Sequence, residues 1–535
     1  MKRIVFLIIA SLLVLGLVLP GCGGGEQEEE EEEENLINIA VTGPMTFDQG
    51  KHIWYGAQLK AEQINAAGGI DVGGVMHEVK LEQVDTNEIM DITGTDGTMA
   101  LTAVIDDVDF VMGGFQESST AAYREVAMNK GKIFICTGVS TVPIFNDVLE
   151  DYEHYKYFFQ GAVFNDYFLD YQFSSSFALV LAYAFGTAEY LGISDFTPRI
   201  AIVAEDEEWC EPSVVGMEAF LQSMGWYVGT WRVDAAGAAE DVLAALTEVA
   251  TYDPHFIYSI FSGPAGVSVS KLVRDTVPYA MVVGCNTEAQ RESFDDLTMY
   301  DPDMPPGCAY EITGDYFAPG CELTPRTTAF LDAFVDRWGE FPIYSAGSYD
   351  ALGHLMQDVE TAADELGVTD IADVVSAENI DVLIEVHEQS TFDGAGSKYR
   401  VFPMPIELEE PVTNPFYGMT TKYVLSEEVV NELYPHLATY GMTYDPSWWT
   451  APPHTPHCMV GGSDWATGIS IQWQEVSAGV WEKRAVWPWP LFDPGDIEGM
   501  IENGWLNQWG NYNFAYPGTS ELQIPDWWIG HHFGG

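Results

Sequence analysis

GAQLKAEQINAAGGI, residues 56–70, sets the pattern for everything around it. Apolar residues recur at helical spacing from Trp54 to Ala66, and Gly68-Gly69 ends the run as a helix C-terminus should. Just upstream, INIAVTGPM (37–45) holds a short apolar strand, Ile37 to Val41, broken by Thr42-Gly43-Pro44. Just downstream, VKLEQVDTN (79–87) alternates as a strand does. The pattern continues with helix at Asp96–Ile105, strand at Phe110–Met112, helix at Ser118–Met128 and strand at Ile133–Cys136. Strands alternating with helices of this length predict a parallel sheet covered on both faces.

The pattern restarts beyond an aromatic stretch, Tyr155 to Phe159. Strands are expected at Arg199–Ala204, Tyr227–Val233, Phe256–Ile260 and Ala280–Gly284. Helices are expected at Phe173–Leu191, Val214–Met224 (closed by Gly225), Asp241–Thr251 and Val267–Val277. The expected fold class is α/β: two doubly wound parallel-sheet lobes joined by a hinge, with an aromatic-rich C-terminal extension. Two such lobes put a cleft at the carboxyl ends of their strands, where ligands sit in open α/β sheets.

Lys2 and Arg3 open the chain, an apolar run follows from Ile4 to Leu19, and Leu19-Pro20-Gly21-Cys22 comes next. This is the layout of a secretory signal peptide, too short for a comfortable permanent span. The Cys after Leu-x-Gly resembles the bacterial lipobox, so Cys22 is the expected site of lipidation. The tract that follows, with Glu28 to Glu34 unbroken, is flexible and self-repelling and suits an extended tether.

The charge balance is extreme: 82 Asp plus Glu against 21 Lys plus Arg, a formal net charge of -61. Only Glu26 and Glu28 to Glu34 belong to the tether, so the folded part is acidic too. Such a balance argues against nucleic acid as a partner, since phosphate binding needs clustered Lys and Arg. Adaptation to high salt and solubility at a crowded surface both account for it. No CxxC pair is present, which gives no sign of a zinc ribbon or a thioredoxin-like site. Cys308 and Cys321 flank one Gly/Pro-rich segment, PPGCAYEITGDYFAPGC, and are the pair expected to form a disulfide outside the cytoplasm.

Taken in order, these segments resemble the periplasmic solute-binding proteins of branched-chain amino acid ABC transporters, with the type I binding-protein fold. The resemblance runs through INIAVTGPM, GAQLKAEQINAAGGI, VKLEQVDTN, VMGGFQESSTAA (111–122) and IFICTGVST (133–141). It continues through FFQGAVFND (158–166), RIAIVAEDEEW (199–209), AAEDVLAAL (238–246), Tyr344 with Tyr349-Asp350-Ala351, and STFDGAGSKYRVF (390–402). The segment from Gln472 to Pro490 resembles the family's close. The resemblance implies a non-enzymatic receptor that binds a small amino-acid-like or polar solute between its lobes and delivers it to ABC permease subunits, with no cofactor and no metal. The implied division is 1–21 signal peptide, 22–35 tether, 36–157 with 286–397 as lobe 1, and 158–285 with 398–490 as lobe 2. An insertion near 407–466 is assigned to lobe 2, and 491–535 is the extension.

The resemblance also implies the site. The first lobe is expected to hold a ligand carboxylate with a helix N-terminus and hydroxyls, here Glu117, Ser118 and Ser119, then Thr137, Gly138 and Ser140. The second lobe is expected to give an aromatic lid, Trp209, and an acidic partner, Glu240. Two departures stand out. Glu117 replaces a usual carboxylate-binding hydroxyl, and Ala239 falls where an acidic residue is common. A carboxylate at Glu117 repels an anionic head and attracts an ammonium or a hydrogen-bond donor. The bland alternative for Glu117 to Ser119 is ordinary helix capping.

The segment 407–466 holds a helix candidate, Ser426–Tyr440, and Trp448, Trp449 and Trp465. The extension carries Trp505, Trp509, Tyr512, Phe514, Tyr516, Trp527 and Trp528. These rings fit either a surface for sugars or partners, or a strap packed on the parent domain. His454-Thr455-Pro456-His457-Cys458 has metal-capable side chains, though Pro interrupts the set, and His531 and His532 form a weaker pair. Two rival functions remain at this level: a sensor or adhesion lipoprotein reusing the fold, and an extracellular hydrolase. The hydrolase lacks support from any GxSxG or HExxH motif.

Overall fold

In a computed structural model, residues 35–534 are described apart from 142, 162–176, 179, 182–183, 190, 302–303, 416–417, 436, 438–442, 461–464, 466–467, 488–519 and 521. The expected signal peptide, Cys22 and most of the tether lie outside the described residues, as do Trp505 to Tyr516 of the extension. Among the described residues no helix is long and apolar enough to cross a membrane.

The first sheet is built by β1 (Leu36–Gly43), β2 (Ile70–Val72), β3 (Val75–Asp85), β4 (Phe110–Gly113), β5 (Phe134–Cys136) and β6 (Phe158–Gln160), in the order β2-β3-β1-β4-β5-β6. Apart from the β2–β3 hairpin the neighbours run parallel. Its inner strands β1, β4 and β5 read as largely continuous apolar runs because both faces are covered, whereas β3 alternates. Ile37, Ile39, Val41, Phe110, Met112, Ile135 and Phe159 face one apolar cluster, which includes residues of helices Asp48–Ala66 and Ser348–Leu366. Ala40, Val111, Phe134, Cys136 and Phe158 face the other.

The second sheet uses β7 (Ile200–Glu205), β8 (Tyr227–Val233), β9 (Phe256–Phe261), β10 (Met281–Asn286) and β11 (Ile312–Asp315). Two short hairpins follow in the chain, β12 (Phe392–Asp393) with β13 (Lys398–Tyr399) and β14 (Ile406–Thr413) with β15 (Thr420–Val424). The antiparallel pair β16 (Ile469–Ser477) and β17 (Val480–Trp487) then completes the sheet, in the order β17-β16-β11-β10-β9-β7-β8. Here too alternate residues part: Ile200, Ile202 and Ala204 face one cluster, Ala201 and Val203 the other.

The division of the chain differs from the expected boundaries in three places. β6 pairs with β5 at the edge of the first sheet, and β11 lies between β10 and β16 within the second. The segment near 407–466, expected on lobe 2, packs on lobe 1: Leu425, Val430, Leu433, Trp449 and Trp465 share a cluster with Val111, Phe134 and Phe158. The sequence shows that these residues are apolar but not which sheet face is left to cover. Within this segment the helix is Glu427–Leu433, capped by Ser426, whose Oγ accepts the Val429 N–H at 3.3 Å.

The expected Cys308–Cys321 disulfide is not formed. Both residues are free and buried, Cys308 beside Trp473 and Trp481, Cys321 beside Ile469 and Ile471. β11 runs between them as extended chain, so the segment does not close on itself. The described end of the extension packs as a strap: in the helix Asp526–Phe533, Trp528 is buried and its indole N–H donates to the His255 carbonyl at 2.9 Å.

The two histidines of the HTPHC stretch are occupied separately. His457 stacks on Phe159 with centroids 3.9 Å apart and bonds Glu388 through Nε2 at 2.8 Å. His454 bonds the Thr450 carbonyl through Nδ1 at 3.0 Å.

Candidate functional site

The cleft opens where both sheets end their strands. The loops after β4 and β5 give one wall: Phe115, Gln116 and Glu117, then Gly138, Val139, Ser140 and Thr141. The second lobe gives Trp209 after β7, Ser262 after β9, Cys285, Thr287 and Gln290 at and beyond β10, and Gly314 in β11. Tyr316 and Tyr344 close the floor, their ring centroids 6.1 Å apart. The space between these walls, its open mouth included, is about 680 Å³. That suits a small molecule.

A buried carboxyl braces each wall. Glu88 accepts the Phe115 and Gln116 N–H groups at 3.1 and 2.8 Å, and the Thr86 and Thr120 hydroxyls at 2.7 and 3.1 Å. Burial drives its pKa up, against those hydrogen bonds. Across the cleft, Glu205 accepts the Ser262 N–H at 3.0 Å, the Ser262 hydroxyl and the Trp209 indole N–H. Glu205 is fully buried, and that burial pushes it up to about 7. Neither residue announces itself in the sequence, because a single carboxylate at a strand end (Glu205) or in the loop beyond one (Glu88) is not a pattern. Its importance comes from three or four donors that only the fold brings to it.

The expected site residues divide. Glu117, Gly138, Ser140 and Trp209 line the cleft. Ser119 and Thr137 are buried, outside the lining, and their hydroxyls meet no partner among the described residues. Ser118 is half-buried and Glu240 exposed, both also outside the lining. Glu240 opens the helix Ala239–Ala250 and points its first turn to solvent rather than to the ligand space. Capping of the helix Glu117–Met128 falls to Gln116, whose side chain accepts the Ser119 N–H at 2.7 Å, and not to Glu117 or the serines. Glu117 is thereby left to the cleft. Burial raises its pKa, the Thr141 hydroxyl opposes, and the nearby charge of Glu208 adds to the rise.

The lobes also touch beside the cleft. Asp48 of the first pairs with Arg291 of the second, Nε to Oδ2 at 2.6 Å, and Gln49 Nε2 donates to Glu288 at 2.8 Å. Where the chain crosses back after β11, buried Asp315 holds the Tyr316 N–H at 2.7 Å and pairs with Lys483 at 3.0 Å.

Two α/β lobes with a ligand-sized cleft between their strand ends define a solute-binding class of protein. The sequence profile of the Periplasmic binding protein family matches residues 37–402, and the chain belongs to that family. Its lobes have the type I arrangement of the Leu/Ile/Val-binding proteins. Members are extracytoplasmic solute-binding proteins and not enzymes.

Solved structures agree on the fold. A putative branched-chain amino acid ABC transporter protein from Silicibacter pomeroyi is 15% identical, with a TM-score of 0.55 over 92% of this chain and 99% of that one. The branched-chain amino acid transporter substrate binding protein LivJ from Streptococcus pneumoniae, in complex with isoleucine, is 15% identical, with a TM-score of 0.53 over 84% of this chain and 99% of that one. A solute binding protein from Rhodopseudomonas palustris in complex with 3,4-dihydroxy benzoic acid is 15% identical, with a TM-score of 0.50 over 69% and 89%. No curated protein matches the chain.

Proposed function

We propose that the protein is the lipid-anchored solute receptor of an ABC importer, closing its lobes on a small molecule and presenting it to permease subunits. The observation that carries this is the cleft itself: side chains of both lobes face one space at the carboxyl ends of two parallel sheets. The names of the solved relatives support the transport role, since they are substrate-binding proteins of ABC transporters. The Leu19-x-Gly-Cys22 sequence supports anchoring by lipid on Cys22, with the acidic tract as tether. Closure by a hinge at the crossing segments is the expected motion.

A thermal-shift screen of the full chain against amino acids, amides, sugars, amines and organic acids tests the receptor role. A bound solute at a hundred times its Kd adds about 2.7 kcal/mol of stability. A melting temperature that none of these classes moves contradicts it.

A further inference from the structure

We propose that the cleft takes a small organic cation without a carboxylate: a quaternary or protonated amine on an apolar body. The inference rests on the receptor role above and names its substrate class.

The lining carries one carboxyl side chain, Glu117, and no Lys, Arg or His. Glu117 has no cationic partner among the described residues, and Glu208 adds a second negative charge nearby. The basic groups beside the lining residue Gln290 are committed elsewhere. Lys483 is paired with Asp315 and donates to the Gln290 carbonyl, and Arg291 is paired with Asp48 and Glu288.

Part of the device that would hold an anion is already used internally. A helix start binds a carboxylate through unpaired N–H groups. Here the Ser119 N–H donates to Gln116, and the Phe115 and Gln116 N–H groups donate to Glu88. An incoming carboxylate therefore meets Glu117 and finds these three N–H groups already occupied. A cation meets the same carboxylate together with the rings of Phe115, Trp209, Tyr316 and Tyr344. Aromatic faces beside a carboxylate are the means by which proteins recognise alkylammonium groups. The relatives bound to isoleucine and to 3,4-dihydroxy benzoic acid carry ligands of the opposite or balanced charge, so the expected preference is a departure from them.

The test is titration calorimetry of the full chain with choline, tetramethylammonium and benzylammonium, set against benzoate and leucine. At least one cation is expected to bind saturably and about a hundredfold more tightly than benzoate or leucine. Glu117→Gln should weaken that cation at least tenfold without moving the melting temperature of the free protein, and Trp209→Phe serves as a second variant that keeps a ring while reducing its face. Tighter binding of benzoate or leucine than of any cation overturns the charge preference and leaves the receptor role standing. Absence of binding by all five overturns the cation assignment, and the receptor role then rests on the broader solute screen.

Discussion

Replacing Glu205 by Gln should change stability by an amount that depends on pH, and the structure sets the size. Three donors converge on this carboxylate: the Ser262 N–H, the Ser262 hydroxyl and the Trp209 indole. A carboxamide keeps the shape but turns one acceptor into a donor, so at least one of the three is left unpaired, costing about 1–3 kcal/mol. The charge works in the other direction. Burial lifts Glu205 from its ordinary 4.5 to about 7.

Between those values the folded protein holds a proton that the unfolded chain has released. Wild-type stability therefore falls as pH rises through that window, by about 3 kcal/mol once complete. Gln does not titrate and escapes this loss. All other titrating groups are shared and cancel in the difference between the two proteins. Urea unfolding followed by circular dichroism should show Glu205→Gln less stable than wild type near pH 5. The gap should shift by about 2–3 kcal/mol in the variant's favour by about pH 8. A gap that is constant across that range refutes the assignment of a buried, proton-holding carboxyl at this position.

The remaining predictions are of three kinds. Lys483→Met removes the ammonium that is ion-paired with buried Asp315, so urea unfolding near neutral pH should show a loss of about 3–5 kcal/mol, and a loss under about 1 kcal/mol contradicts the pairing. Cys308 and Cys321 are free, so alkylation after denaturation without reductant should label both, and a mass consistent with a linked pair contradicts their separation. Cys22→Ala should move the protein from the membrane fraction to the soluble fraction of cells, and retention on the membrane contradicts anchoring through that residue.

Most of the fold was legible in the sequence because its signals are local. The strands expected at Ile37–Val41, Tyr227–Val233 and Phe256–Ile260 and the helix at Ser118–Met128 coincide with elements of the structure to within a few residues. Periodicity and terminal glycines depend only on near neighbours. What the sequence did not carry is set by long-range packing. That Leu425, Val430, Leu433, Trp449 and Trp465 pack on the first sheet depends on how much apolar surface its own helices leave uncovered, and no local pattern records this. The site divides the same way: Glu117 and Trp209 follow from loop position within a recognisable motif, whereas Glu240 sits in such a motif yet faces solvent. Glu88 and Glu205 gain their roles from donors contributed by loops far along the chain.

Closure of two lobes around a solute is the central claim, and a distance across the cleft tests it most directly. Thr102 on the helix Thr95–Val104 of the first lobe and Ser223 on the helix Glu211–Met224 of the second are exposed. Spin labels at Thr102→Cys and Ser223→Cys, read by pulsed dipolar spectroscopy, report the separation of the lobes. Adding a saturating solute should shorten and narrow the distance distribution, and Trp209→Ala should abolish that response at the same solute concentration. A distribution unchanged by a solute that calorimetry shows to be bound contradicts the account.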